Sequence, residues 1–349
     1  MDKQATIRDV AEKAGVSIAT ASRVLSKANY PVSPELRKKV ERAAQQMEYI
    51  PNAMARSLRT EYCNDIGLVI PNLSNPFYLQ SMMGINDILT KHGYSTILCD
   101  TMRNPTKEQA FLRQLLERKT KGIILSSVDE NADTVNELSR KGVRFVLLDQ
   151  KLTGSDCTGI ICDSRAGTKM STSHLISLGH RRIAFATMSM KRWTRQEMYH
   201  GYCDALSDAG IPYDPSLIYE HTLSPHQEKN EWELESGRCI AEAFIRDGCP
   251  ATGIICINDM VAIGVIKVFL QHGIRVPEDV SVFGFDDIPF AEAFHPSLST
   301  VHYPAKESGR LAAMMLVDML TSHSSESPVS MNLELKLMLR DTVAPPKNT

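Results

Sequence analysis

Residues 6–25, TIRDVAEKAGVSIATASRVL, decide how the rest of the chain is read. Thr6 is placed to cap a helix in which Ile7, Val10, Ala11 and Ala14 recur at i, i+3, i+4 and i+7, so one stripe is apolar and the remainder polar. Gly15 stands where a short first helix needs a left-handed residue in order to stop and turn. Ser17 then caps a second helix, with Ala21, Val24 and Leu25 pointing inward and Ile18, Ala19, Ser22 and Arg23 sharing the opposite face. That face has no evident partner within the chain. The layout fits a helix-turn-helix, whose second helix enters the major groove of DNA, and it also fits a plain helical hairpin.

Working outward, Ser33-Pro34-Glu35 opens a third helix with a cap, a proline at the first position and an acid in the first turn. Leu36, Val40, Ala43, Ala44 and Met47 form its apolar stripe, and YIPNAMARSL follows at 49–58. In the order VAEKAGVS, IATASRVL, VSPELRKKV and YIPNAMARSL the chain closely resembles the lactose-repressor/galactose-repressor family of bacterial transcription factors. The resemblance implies an all-α DNA-binding head at 1–48, a hinge helix and linker at 49–61, and a two-lobed α/β core of the periplasmic-binding-protein type at 62–349.

Composition is consistent with this division. The 349 residues carry 39 Lys/Arg and 41 Asp/Glu, but residues 1–60 hold 11 basic against 6 acidic side chains. A basic head on an acidic body suits a polyanion at one end only. The eight cysteines show no C-x-x-C or metal-ligand spacing, and Cys99, Cys162 and Cys256 sit in apolar runs as small hydrophobes, which points to a reducing cytosol. No apolar run approaches membrane-spanning length and no signal-like segment opens the chain, so a cytoplasmic protein is expected.

From residue 66 onward apolar strands alternate with amphipathic helices. Strand-like runs fall at 66–71, 95–99, 122–126, 145–149 and 159–163, with helical stretches near 77–92, 107–119 and 131–142. The alternation restarts with strands at 183–187, 218–221, 253–257 and 280–285. Alternation of this kind means right-handed βαβ units, and two sets of about five strands mean two similar lobes. By resemblance the chain crosses between lobes near 163–165, 290–295 and 325–330. Lobe 1 then comprises about 62–163 and 294–327, including Leu298–His302 and a helix at 305–322, and lobe 2 about 164–293 and 328–349. The end of the chain, DTVAPPKNT, reads as frayed. No leucine heptad follows the core, so a homodimer is expected.

Ligands of open parallel sheets sit beyond the carboxyl ends of the strands. The loop NLSNPFY at 72–78, Asp149, Asp163, Asn258-Asp259 and Asp286-Asp287 all fall at such ends. The resemblance places Phe77, Asp149, Asn258, Asp286 and Tyr303 around a cleft for a small effector. Asp163 and Asp259 read instead as helix N-caps. His180-Arg181-Arg182 reads as a structural group at a helix end. No metal-ligand spacing, phosphate-binding glycine loop or nucleophile elbow occurs, so no metal, cofactor or catalytic residue is expected. Two other classes remain beside a regulator: a transport solute-binding protein, and a sugar-acting enzyme using Asp149 and Asp286 as a carboxylate pair.

The expected reading is an effector-controlled repressor of carbohydrate-metabolism genes that binds a pseudo-palindromic operator on double-stranded DNA. Ile18 and Ala19 suit thymine methyls and Arg23 can fork onto guanine; Thr6, Ser17 and Ser22 would bond phosphate, and Thr20 joins the DNA-facing set. Relatives with a small apolar pair before the same arginine favour a central CG step. In the hinge, the resemblance has Leu58 wedge into the minor groove beside Asn52, and small Ala55 lets two hinge helices approach. Many relatives carry a ligand-gripping arginine three residues before the glycine matching Gly201, where this chain has Met198. A cationic contact must then come from Arg192 or Arg195, unless both are solvated loop residues and the ligand does without one; with Asp149 and Asp286 accepting from hydroxyls and Phe77 and Trp193 covering a sugar face, a sugar or sugar acid is favoured.

Overall fold

A computed structural model describes residues 5–25, 32–49, 64–221, 232–322 and 330–347. Contacts divide the chain into two compact units, Met1–Cys63 and Asn64–Thr349. The hinge positions Asn52, Ala55 and Leu58 lie outside the described residues.

The head consists of α1 (Ile7–Ala14), α2 (Ile18–Leu25) and α3 (Pro34–Gln46). Thr6 and Asp9 form a reciprocal cap: Thr6 N–H donates to the Asp9 carboxylate at 2.7 Å, and Asp9 N–H donates to Thr6 Oγ1 at 3.4 Å. Gly15 takes φ 65°, which turns the chain into Ser17, whose Oγ accepts from Thr20 N–H at 3.1 Å. Ser33 caps the third helix through Leu36 N–H. Val10, Ala14, Ala21, Val24, Val40 and Ala43 form the buried centre. Alanine at so many of these positions lets three short helices pack closely.

The larger unit holds two six-stranded sheets. The first contains β1 (Asp65–Ile70), β2 (Ser95–Asp100), β3 (Gly122–Leu125), β4 (Arg144–Leu148), β5 (Thr158–Cys162) and β11 (Ser330–Leu333), in the order β11-β5-β4-β3-β1-β2 and parallel throughout. The second contains β6 (Ile183–Met188), β7 (Ile218–His221), β8 (Gly253–Cys256), β9 (Ser281–Asp286), β10 (Ser299–His302) and β12 (Lys336–Met338), in the order β12-β10-β9-β8-β6-β7. Only β12 runs antiparallel, against β10. Strands covered on both faces need continuous apolar runs, and β3, β5 and β8 are buried along their whole length. In each sheet the order reverses beside its first strand, β1 or β6, opening a crevice at the strands' carboxyl ends.

Three crossings join the lobes, but two fall later than expected. Leu298–His302 does not return to the first lobe. Its strand, β10, pairs with β9 from Ser299↔Phe283 to His302↔Asp286, because Leu298 and Val301 are buried in the second lobe and Thr300 reaches Asp259 there. The second crossing is therefore at 303–304, after which the helix Ala305–Thr321 packs against the helix Pro76–Lys91 and on β3, β4 and β5. The third falls between β11, which pairs with β5, and β12. Residues 341–347 are not frayed. Thr342 is buried, its Oγ1 accepts from Ser299 N–H and donates to Val282 O, and Lys347 pairs with Asp279. Glycine makes the helix pairs close: a Cβ on Gly84 would lie 1.9 Å from Lys306 O, and one on Gly309 2.0 Å from Ser81 O.

Candidate functional site

On the head, α2 presents Ser17, Ile18, Ala19 and Arg23 to solvent, with Ile18 44% exposed, and Thr6 is exposed beside it. Thr20 is half-buried and bonds Ser17 Oγ at 2.8 Å. Ser22 differs from expectation: it is buried to 8% exposure, since it adjoins Ala21 around the helix and is small enough for the packed face to cover it.

In the core, Phe77, Asp149, Arg192, Arg195, Asn258, Asp286 and Tyr303 line one cavity between the lobes, together with Asn75, Tyr78, Arg103, Ser164, Thr194, Met198, Ile257 and Phe285. The cavity is narrow, about 50 Å³. Side chains already fill much of it, so a ligand larger than a few water molecules has to move the arginines or part the lobes.

Asp149 follows β4 in the left-handed region, φ 53°. Its N–H donates to Ile160 O and its carbonyl accepts from Thr194 Oγ1 at 2.9 Å, which leaves the carboxyl for the cavity. Burial pushes that carboxyl up to about 6, against the pull of Arg192, Tyr303 and Arg195. Asp286 ends β9 with φ 115° and Asp287 follows at 57°. Contacts made by Asp287 itself and by the Ile288 backbone hold this strained pair. Asp287 takes Arg340 at 2.8 Å and pairs with His302 at 2.9 Å, and Ile288 N–H donates to Asp259 Oδ2 at 2.8 Å. Burial, then Asp259 and Asp149, push Asp286 well above the ordinary carboxyl range.

Asn258, not Asp259, caps the helix Asp259–Gln271, with its Oδ1 accepting from Val261 N–H at 2.9 Å. Asp259 is the first helical residue, and its carboxyl turns to Thr300 and Ile288 because both hold it away from the helix N–H groups. Asp163 does cap its helix, through Ala166 N–H. Phe77 is buried edge-to-face on Tyr303 (4.9 Å, 87°) and Tyr78 (5.1 Å, 85°).

Arg192 and Arg195 come from the start of the helix Trp193–Asp208. Arg192 donates over 3.4 Å to Tyr78 Oη and Ser126 Oγ, and its buried Nε has no partner. Arg195 is 8% exposed and donates to Ser189 O at 2.7 Å. Burial, Arg103 and Arg192 all hold its pKa well below the ordinary arginine range. The cavity thus holds guanidinium groups with donors to spare, beside a carboxyl, Asp286, that resists ionising. Trp193 does not line it and cannot cover a sugar face there: the ring lies under Lys151, whose Nζ is 4.6 Å from its centroid. His180-Arg181-Arg182 is structural, with His180 buried between Thr252 and Ala344 O, and Arg182 donating to Pro250 O.

Sequence reasoning missed Arg103 and Glu233. Arg103 lies just past β2, so the strand-end rule applied to β2 finds it. No local signal marks Glu233, whose partner is 130 residues away.

Comparison with known proteins agrees with this architecture. Residues 6–52 match the bacterial regulatory proteins of the lacI family, and 172–343 match a periplasmic binding protein-like domain. The HTH-type transcriptional regulator RegA of Clostridium saccharobutylicum is 34% identical over 97% of this chain and 98% of its own. The HTH-type transcriptional repressor PurR of Aliivibrio salmonicida is 31% identical over 92% of this chain and 94% of its own. Among solved structures, the lac repressor dimer bound to operator and the anti-inducer ONPF superposes with a TM-score of 0.84 at 25% identity, covering 98% of this chain and 100% of that one. A three-helix head, two doubly wound lobes in crossed connection and full-length relatives above 30% identity together place this chain in the lacI family of bacterial regulatory proteins.

Proposed function

We propose that this protein is a transcriptional repressor that binds a pseudo-palindromic operator as a homodimer and is controlled by a small, hydroxyl-rich effector with an anionic end, a sugar acid before a neutral sugar. The observation that carries this reading is the composition of the inter-lobe cavity. Asp149 and Arg103 come from one lobe, and Arg192, Arg195 and Asp286 from the other, so occupancy bears directly on how the lobes meet. Carboxyl and amide groups suit hydroxyls, and two arginines that make no ion pair among the described residues suit a carboxylate or phosphate. Solved relatives include a transcriptional regulator CelR–cellobiose complex and a LacI family regulator from Enterococcus faecium with bound ribose. Reciprocity requires that operator DNA shift effector affinity by the same factor as effector shifts operator affinity.

The test is fluorescence anisotropy of the purified chain on duplexes with a central CG step, titrated with sugars, sugar acids and purines. Sequence-specific binding altered by an acidic sugar is the expected result, with the preference for acid over neutral sugar lost in Arg192→Ala or Arg195→Met. Binding indifferent to sequence sinks the repressor reading. Turnover of any bound sugar, monitored in the same samples, would favour the carboxylate-pair enzyme instead.

A further inference from the structure

Glu233 belongs to the second lobe, in the first turn of the helix Trp232–Arg246, which packs on β6 and β7. Its carboxylate nevertheless engages the first lobe. Oε2 accepts from Asn72 Nδ2 at 2.7 Å, and Oε1 is ion-paired with Arg103 Nη2. Asn72 follows β1 and Arg103 follows β2, so one carboxylate ties together the carboxyl ends of both strands from across the cleft. The pair is dry, with the Glu233 side chain 2% exposed and that of Arg103 10%. Burial opposes ionisation of Glu233, and the Arg103 guanidinium overcomes it, keeping the carboxyl below its ordinary range.

The other cross-cleft contacts are of a different kind. Several of them, among the described residues, issue from residues 191–195: Lys191 pairs with Glu130 at the surface, Arg192 makes two long bonds, Trp193 lies under Lys151, and Thr194 bonds Asp149 O. Among the described residues, Arg103–Glu233 is the ion pair between the lobes in which both side chains are no more than 10% exposed. Removing one partner of such a pair strands the other charge in a dry site, whereas opening the lobes would return both to water. The closed arrangement is therefore the one that depends on the pair.

We propose that Glu233, acting through Arg103 and Asn72, is an inter-lobe latch that holds the cleft closed. The latch consists of the chain's own side chains, and only its consequence for effector affinity rests on the repressor reading. If a cleft must open to admit its ligand, apparent affinity scales with the competent fraction, and the latch sets that fraction.

The experiment uses the full chain without ligand, as wild type, Glu233→Gln, Asn72→Ala and the surface-pair control Lys191→Ala. Small-angle X-ray scattering reads lobe separation, and acrylamide quenching reads exposure of the chain's two tryptophans, Trp193 beside Arg192 and Trp232 beside Glu233. A stranded buried charge shifts the closed-to-open ratio by about 100- to 1,000-fold, so Glu233→Gln is expected to expand the core and raise quenching, with Asn72→Ala moving the same way less far and Lys191→Ala unchanged. A folded Glu233→Gln with wild-type scattering and quenching overturns the latch. Should Glu233→Gln fail to fold, Asn72→Ala decides: expansion supports the latch, and wild-type behaviour overturns it. Operator binding measured on the same samples keeps the two ideas apart, since its loss with closed lobes would count against the repressor reading alone.

Discussion

Replacing Asp259 with Asn is expected to stabilise the protein at pH 8. The carboxyl is fully buried; its Oδ1 accepts from Thr300 Oγ1 at 2.5 Å and its Oδ2 accepts from Ile288 N–H at 2.8 Å. Burial, with a smaller push from Asp287, raises it from 3.8 to about 7, against the pull of its two hydrogen bonds and of Arg340. Between about pH 4 and 7 the folded protein therefore keeps a proton that the unfolded chain has lost. Stability contributed by this group falls as pH rises through that window and levels off above it. The full difference is on the order of 4 kcal/mol at 1.36 kcal/mol per tenfold, and about 2 kcal/mol after local relaxation is a fair expectation. Asparagine mimics the protonated acid, because its oxygen can accept from Ile288 and its amide can donate to Thr300 once that hydroxyl turns from donor to acceptor. Urea unfolding of wild type and Asp259→Asn from pH 5 to 8 should show the variant's advantage growing with pH. A variant destabilised equally at both ends of the range would mean that the ionised carboxylate is needed, and the argument from burial would be wrong.

Arg23→Ala should weaken operator binding by about 1–3 kcal/mol and relax preference at one base pair per half-site; a uniform loss on all sequences in a binding-site selection would reduce Arg23 to a phosphate contact. Asp149→Asn should abolish the effector response in anisotropy titrations while leaving operator affinity intact, and a retained response removes Asp149 from the site. Gly84→Ala drives a methyl to within 1.9 Å of Lys306 O, so the helices must separate, and a loss of about 2 kcal/mol is expected by thermal or urea unfolding; an unchanged midpoint would show that the helix pair yields freely.

What was legible in the sequence was whatever is encoded locally. Thr6, Gly15 and Ser33 announce the head because caps and left-handed turns depend on neighbours within four residues. The strands β3, β5 and β8 stand out as unbroken apolar runs, and the strand-end rule brought Asp149, Asn258 and Asp286 to one cavity. What failed depends on partners far away along the chain. Leu298–His302 reads as a strand in either lobe, and the choice is made by β9 and Asp259, which no periodicity reveals. Asn258 and Asp259 are both competent caps, and Thr300, some forty residues on, settles which one performs. Ser22 looks solvent-facing on a helical wheel until the other helices are in place. Glu233 carries no signal at all until two lobes close on it.

The crossed connection between the lobes also sets a timetable for synthesis. The helix Ala305–Thr321 buries Ala312, Ala313 and Leu316 against the first lobe, and β11 then closes that lobe's edge on β5. A ribosome delivers both only after residues 164–302 of the second lobe have emerged. Until then Ile85, Ile88 and Leu89 on the helix Pro76–Lys91 lack part of their cover, although their own sheet is already complete through β5. The second lobe waits as well, for β12 and for Thr342 to join Val282 and Ser299. Neither half can mature first, so a chain arrested before about residue 305 exposes apolar faces of both, the kind of nascent species that chaperones hold and that aggregates when they do not.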